Sequence, residues 1–411
     1  MPDSCPARKS ADVPLPLDPT LPRTANYADG SAVLRSSAFS VDVYHENAAL
    51  LAGTLLGSDG DRHRHLKRLE GALFSPAHLA HYEKSVLAKV VDEELAAVAA
   101  ASPADGVPRA DLIPLVRRMA LRISAEVVGL DDVDEARLSQ LTRLVARLGD
   151  GILIQWTTRD HGEVMRDALA CKEELWSDFV LPALRKRRAR VAAGQELPGT
   201  DLISVIMTDT TLTWSDDDIS KETLLYMTAA AFTTATAVTH AVAELTSWLP
   251  DHPEAREKLS DPEFLRIAGM ESLRLHPGRH VLFRAAAEKT TMPDGTRVDP
   301  GQVVLVDKFQ ANMDDEAYGG AVDTFNPYRT IAEGTSPYGL SFGAGPHQCL
   351  GKPLVLGTTA SRRTEARDGT LALLLGVLFR AGVERDPDNP PVRPDSVHDR
   401  YESFPVCFTA I

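Results

Sequence analysis

From Asp217 to the proline at 250 the chain reads DDISKETLLYMTAAAFTTATAVTHAVAELTSWL, more than thirty residues without a proline or a glycine. The middle of this run is poorly suited to a helix standing alone, because Thr233, Thr234, Thr236 and Thr239 are β-branched and lose side-chain freedom in a helix. Tertiary burial therefore has to hold the segment helical. The sequence predicts one central helix with the rest of the chain packed about it.

The flanking sequence agrees with a helical protein. FSPAHLAHYEKSVLAKVVDEELAAVAA places apolar residues at spacings of three and four behind a Ser-Pro start, and a second long helical pattern covers roughly 160–193. From 280 the pattern changes: HVLFRAAAEKTTMPDGTRVDPGQVVLVDK has β-rich stretches around a Pro-Asp-Gly turn, which predicts a small sheet. With no internal repeat and no true linker, the expectation is one mainly α domain over 1–411 with a small β subdomain, opening on a Pro-rich leader at 1–29.

Charge and cysteine usage exclude several functions. Lys and Arg number 44 against 58 Asp and Glu, a balance of -14 that repels a phosphate backbone, so no nucleic-acid partner is expected. The basic cluster RKRRAR (185–190) ends an amphipathic segment and reads as a solvated helix end. Cysteines at 5, 171, 349 and 407 form no C-x-x-C pair, which indicates neither a disulfide scaffold nor a zinc ribbon and suits a reducing cytoplasm. The N-terminus has prolines where a signal peptide has its apolar core, and the longest apolar run, LALLLGVLF (371–379), is too short to span a bilayer. A cytoplasmic protein without a membrane anchor is expected.

One cysteine stands apart. In SFGAGPHQCLG (341–351), Cys349 follows His347 by two residues among closely spaced glycines. Gly343 and Gly345 permit positive φ and a close approach to a flat ligand, while Leu350, Gly351 and the apolar stretch beyond read as the start of a helix aimed at the same place. A thiolate needs partial neutralisation by N–H groups, a helix N-terminus or a metal. Zinc fits poorly, since His347 and Cys349 are too close to supply more than one corner and no partner pair lies nearby.

The segment FGAGPHQCLG resembles the haem-binding signature of the cytochrome P-450 superfamily, with Phe342, Gly343, Gly345, His347, Cys349 and Gly351 at matching positions. The resemblance extends from about residue 30 to 355 and implies the family's triangular-prism fold, haem b as cofactor and Cys349 as the thiolate on its iron, a ligand that favours O–O cleavage. It further implies a structural triad of Glu271, Arg274 and Arg329, and haem-propionate partners in Arg284, His347, His63 and Lys67 with Arg68 alongside. Lys67 stands where the family has arginine and lacks its bidentate fork. Met313 likewise replaces an arginine, and KPLVLGTTASRRTEARDG after the cysteine departs from the usual continuation.

On the central helix the resemblance aligns Ala230, Ala231, Phe232, Thr233 and Thr234 with the oxygen-activation motif, so Thr233 is the expected catalytic hydroxyl and Phe232 occupies the place of the acid. Phenylalanine relays no proton. Protons then arrive from Thr233, from the substrate, or through His240 seven residues on; alternatively the enzyme uses peroxide, or the protein binds haem without turnover. Ala230, Ala231, Phe232, Val281 and Leu282 are expected to face an apolar substrate pocket. The implied activity is a monooxygenase tailoring a small organic molecule in secondary metabolism such as antibiotic biosynthesis, as a monomer drawing electrons for dioxygen from a ferredoxin and its reductase.

Overall fold

A computed structural model describes residues 18–102, 106–360, 365–393 and 399–411. Cys5 and most of the leader lie outside the described residues. The chain forms two compact units, one built from residues up to 43, 91–116 and 233–411, the other from 44–90 and 117–232.

The second unit is helical. Its helix Glu135–Ile152 is capped by the Asp134 side chain, which accepts from the Arg137 N–H, and buries Leu138, Leu141, Leu144, Val145 and Leu148 at the three-and-four spacing of one face. Helix His161–Leu175 packs against it so closely that a Cβ on Gly151 would come within 2.5 Å of the Ala168 methyl. The basic cluster falls at the end of helix Leu181–Ala192 as expected, with one exception. Arg187 is buried in an ion pair with Asp201 at 3.1 Å, whereas Arg188 meets Asp216 at the surface.

The central helix spans Asp216–Trp248, 33 residues. Three threonines along it satisfy their hydroxyls internally, since Thr223, Thr228 and Thr246 donate to the carbonyls of Ile219, Leu224 and Val242, four residues back, whereas the buried Thr239 hydroxyl has no partner among the described residues. No helix among the described residues is long and apolar enough to cross a membrane.

The first unit holds the sheets. A four-stranded sheet runs in the order Arg23–Thr24, Val303–Asp307, Val281–Ala286, Phe39–Ser40, and a three-stranded sheet joins Arg109–Asp111, Pro405–Phe408 and Val383–Arg385. The two longest strands pair antiparallel from Val281 opposite Asp307 to Ala285 opposite Val303. Sheet structure from 281 onward thus matches the sequence pattern, but the expected leader over 1–29 does not extend so far. Strand Arg23–Thr24 and the start of helix Tyr27–Arg35 lie within it, because two-residue strands and a nine-residue helix are too short to produce a periodic signal.

In the second unit, Glu70 and Glu222 bury two carboxyl groups. The Tyr226 hydroxyl donates to Glu70 at 2.8 Å and the Leu55 N–H donates to both oxygens of Glu222 at 3.2 Å. Burial pushes Glu222 up to about 8 against the pull of that N–H and of Arg62, and burial together with the Glu222 charge lifts Glu70 well above the usual range. An acid raised from 4.5 to about 8 stays protonated in the fold while it ionises in the unfolded chain. Its favourable contribution is therefore complete below 4.5 and lost as pH rises toward 8. Glu222→Gln removes that loss, so its stability relative to wild type in chemical denaturation is expected to improve by ~1 kcal/mol or more from acid to mildly alkaline pH; a difference that does not change with pH refutes the assignment.

Candidate functional site

Ser341 to Gly351 form a closed loop in the first unit. The Cys349 N–H donates to the Phe342 carbonyl at 2.9 Å and pins the two ends, and the Gly343 N–H donates to Leu340 at 2.8 Å. Gly343 and Gly345 both take φ of 67°, as the sequence demanded, and a Cβ on Gly345 would lie 2.5 Å from the Leu34 carbonyl oxygen. His347 closes the 3₁₀ turn Gly345–His347, and the helix expected after the cysteine starts at Lys352. Of the described cysteines, Cys349 is exposed whereas Cys171 and Cys407 are buried.

The helix after the cysteine breaks early. Lys352–Leu356 ends at Gly357, Thr358 bridges Arg367, and the next helix among the described residues is Thr370–Arg380. Gly357 and Gly369 both have positive φ and press together, so that a Cβ on Gly369 would sit 2.2 Å from the Gly357 nitrogen. This is the physical form of the sequence departure noted after residue 351.

The loop is held from behind by a buried ion cluster. Arg274, with 0% exposure, donates to both carboxylate oxygens of Glu271 at 2.8 and 2.7 Å and to the Asn312 carbonyl at 2.8 Å. Arg329 donates to the same carboxylate at 3.0 Å and to the carbonyls of Tyr318, Gly320, Ala321 and Thr324. The Glu271, Arg274 and Arg329 triad therefore exists as a contact. Asn312 extends it: its amide donates to the Arg274 carbonyl at 2.9 Å and accepts from the Leu340 N–H at 2.7 Å, one step from the cysteine loop. Met313, in the place of an arginine, sets its sulfur 3.9 Å from Arg274, where a second guanidinium would repel.

Beside the loop the sheet presents cations. Leu282 approaches the loop, its Cδ1 3.9 Å from where a Cβ on Gly343 would stand. Arg284, two residues further along the strand, is 5% exposed, with one N–H donated to the Phe283 carbonyl at 2.7 Å. Lys308, not singled out in the sequence, is 4% exposed. Burial and the guanidiniums of Arg279 and Arg284 press its ammonium down to about 7, against the pull of the Cys349 sulfur. An exposed sulfur flanked by buried cations is the donor set of a flat metal cofactor that carries carboxylates at one edge, and the residues present fit that group.

Thr233 lies on the central helix with its methyl 3.9 Å from where a Cβ on Gly278 would stand, within the first unit. Phe232 belongs to the second unit, where its ring edge is 2.7 Å from a hypothetical Cβ on Gly149 and the Arg117 guanidinium stands 4.9 Å from its centroid. Only glycine at 149 admits that ring. Ala230 keeps partial exposure, but Ala231 and Val281, at 0% and 1%, offer no surface to a ligand. The lining expected from both is corrected: Ala231 is packed in the core, and Val281 is buried at the head of its strand. His63 and Lys67 share one face of helix Gly60–Gly71 with the buried Glu70, in the second unit.

His240 sits in a buried network of its own. Its Nε2 faces the Asp399 carbonyl at 3.1 Å, its ring stacks on His276 at 4.0 Å, and burial with the neighbouring His276 charge drives it down to about 3. His276 itself, despite burial, is held up to about 10 by Asp399 and Glu244, bonded at 2.6 and 2.7 Å. With both His276 nitrogens engaged and the two rings parallel, the group of His240, His276 and Asp399 is an ion network and not a metal site.

The family model described as Cytochrome P450 matches residues 42–355. Similar curated proteins include cyclooctat-9-en-7-ol 5-monooxygenase of Streptomyces melanosporofaciens, 24% identical over 344 residues covering 77% of this chain and 72% of that protein. Erythromycin C-12 hydroxylase of Saccharopolyspora erythraea is 26% identical over 334 residues, 80% of this chain and 76% of that protein. Among solved structures, P450BioI in complex with a hexadec-9Z-enoic acid ligated acyl carrier protein superposes with a TM-score of 0.73 at 21% identity, over 94% of this chain and 92% of that one. HmtN, a post-tailoring hydroxylase involved in himastatin biosynthesis, gives 0.68 at 21% identity over 94% and 90%.

Asn312→Ala removes the hydrogen bonds that join Arg274 to Leu340, and a loss of ~2–4 kcal/mol in unfolding free energy is expected. Amide exchange should accelerate first over 338–350; uniform acceleration across the first unit would show that Asn312 has no special tie to the loop.

Proposed function

Because the chain belongs to the cytochrome P450 family, we propose that it is a monooxygenase tailoring a small organic molecule in secondary metabolism, with Cys349 as the residue that would hold the iron of haem b. Its fold is the family's, mainly α with a small sheet component. The observation that carries the reading is the exposed Cys349 sulfur in a loop closed by the Phe342 carbonyl, with the buried cation of Arg284 nearby.

Haem, when bound, supplies the activation of dioxygen and the oxidation of a substrate C–H bond. Cys349 would hold the iron, presented by the loop that its own N–H closes onto the Phe342 carbonyl. Arg284 and His347 hold the carboxylates. The Thr233 hydroxyl holds and passes a proton at its oxygen. Phe232 contributes none, and its ring fits against Gly149 as packing. In the first unit, Leu282 beside the cysteine loop is apolar lining. Electrons come from a ferredoxin and its reductase, and the names of the erythromycin and himastatin relatives support tailoring of a secondary metabolite.

Phe232 also favours a second reading, in which hydrogen peroxide replaces dioxygen and electrons. With a ligand selected from a panel by the spin-state shift it causes, product formation with ferredoxin, reductase and dioxygen is compared with peroxide alone; failure in both rejects the oxygenase. Cys349→Ser should abolish the thiolate-type Soret band of the reduced carbon monoxide complex, and its persistence would reject the ligand assignment. Phe232→Glu sets a carboxylate beside Arg117 and restores a proton carrier next to Thr233. Product per electron supplied with dioxygen is expected to rise about 10-fold or more, with peroxide-driven turnover little changed.

A further inference from the structure

We propose that Lys308 is a binding residue for the cofactor's carboxylates, a third cation that neither the family signature nor its arginine and histidine positions include; this rests on the haem reading above. The backbone places it. Lys308 opens helix Lys308–Asn312 directly where strand Val303–Asp307 ends opposite Val281, and its N–H donates to the His280 carbonyl at 2.7 Å, which ties it to the start of the neighbouring strand. Its charged neighbours are Arg279, Arg284 and the Cys349 sulfur, and Leu282, on the strand of Arg284, is the residue that reaches the cysteine loop.

Burial makes the placement costly without an anion. A lysine ammonium at 4% exposure has surrendered its hydration, and its strongest electrostatic neighbours are two guanidiniums and one sulfur. His280, packed alongside, is itself neutral: burial presses it down to about 4. Interior cations are retained where something of opposite charge meets them. As a thiolate on the iron, the Cys349 sulfur would carry one negative charge already committed to the metal. Two carboxylates on a porphyrin edge match Arg284 and Lys308 as a pair of counter-charges, one a planar fork and the other a point charge.

The test is a chemical double cycle on the full chain. Wild type, Lys308→Met and Lys308→Gln are loaded with iron protoporphyrin IX or with its dimethyl ester, and haem release to excess apomyoglobin is timed. Lys308→Met should release natural haem about 10-fold faster or more, while wild type and both variants release the diester at matching rates. Loss of the difference in the diester is what a purely structural lysine would not produce. An equal rate for natural haem in all three proteins overturns the proposal, as does an undiminished difference with the diester, which would assign Lys308 to the sulfur or to the fold. A wild-type chain that takes up neither form rejects the haem reading itself, and this inference with it. Far-ultraviolet circular dichroism confirms folding, and since Lys308→Met deletes a buried charge the cofactor-free variant should melt no lower than wild type; a lower melting point with unchanged release overturns the proposal.

Discussion

A guanidinium with no access to water organises the first unit. Arg274 is fully buried, and a buried cation is tolerated only when each donor is met. Glu271 takes two of its N–H groups and the Asn312 carbonyl a third. The Glu271 carboxylate also receives Arg329, whose remaining donors hold four carbonyls between Tyr318 and Thr324. Asn312 and Ser341 then pass the constraint to the backbone just before the cysteine loop, with the Ser341 hydroxyl donating to the Leu273 carbonyl at 2.6 Å. Such a cluster adds little net stability compared with apolar packing, but it penalises every displacement of its members. The consequence is positional: the sulfur's loop is referred to one helix, Pro262–Leu275, through the hydrogen bonds of Asn312 and Ser341 to the carbonyls of Arg274 and Leu273.

Charge is distributed unevenly around this frame. The pair His276 and Asp399, with Glu244 and Arg393, balances within itself. In the second unit burial raises Glu222 to about 8 and lifts its neighbour Glu70 in the same direction, so this pair sheds charge instead of seeking a counter-charge. Lys308 is buried beside the guanidiniums of Arg279 and Arg284, with the Cys349 sulfur as the opposing pull. On the cofactor reading proposed above, this is where a buried ammonium would be met by the carboxylates of a bound group. The contrast with the networks that close on themselves is what directs attention to this lysine.

How far the sequence reveals this depends on the range of the interactions. The cysteine loop was legible because its requirements are local: two glycines at φ of 67° and a turn of a few residues. The central helix was legible from length, and the 281–307 sheet from β-rich composition about a turn. The Glu271, Arg274 and Arg329 triad came from resemblance, since one helical turn between Glu271 and Arg274 by itself describes an ordinary surface pair. Lys308 was missed because its meaning depends on strand register, and a lone lysine after a strand reads as solvated. His276 and Asp399 are 123 residues apart, with no periodic signal to join them. Burial of Ala231 and Val281 was misjudged for a related reason: facing a pocket and facing the core differ by one position on a helix or strand.

Phe232 shows how the same limits bear on chemistry. Its sequence reading was a loss, an acid replaced by a ring that carries no proton. The structure supplies the complementary gain, for the ring lies where a side chain on Gly149 would have to be and beneath the Arg117 guanidinium. A carboxylate at 232 would meet a cation there, and a ring meets a hole shaped to it; the glycine at 149 serves the second arrangement and is not needed for the first. The absent acid is thus built into the packing of the second unit, and a proton for oxygen chemistry has to come from groups other than residue 232. His240, with its Nε2 on the Asp399 carbonyl, is engaged within a network of its own. On the reading proposed above the central helix contributes the Thr233 hydroxyl and water or the substrate's own polar groups would complete the supply, so the choice of substrate and the route of the proton become one problem.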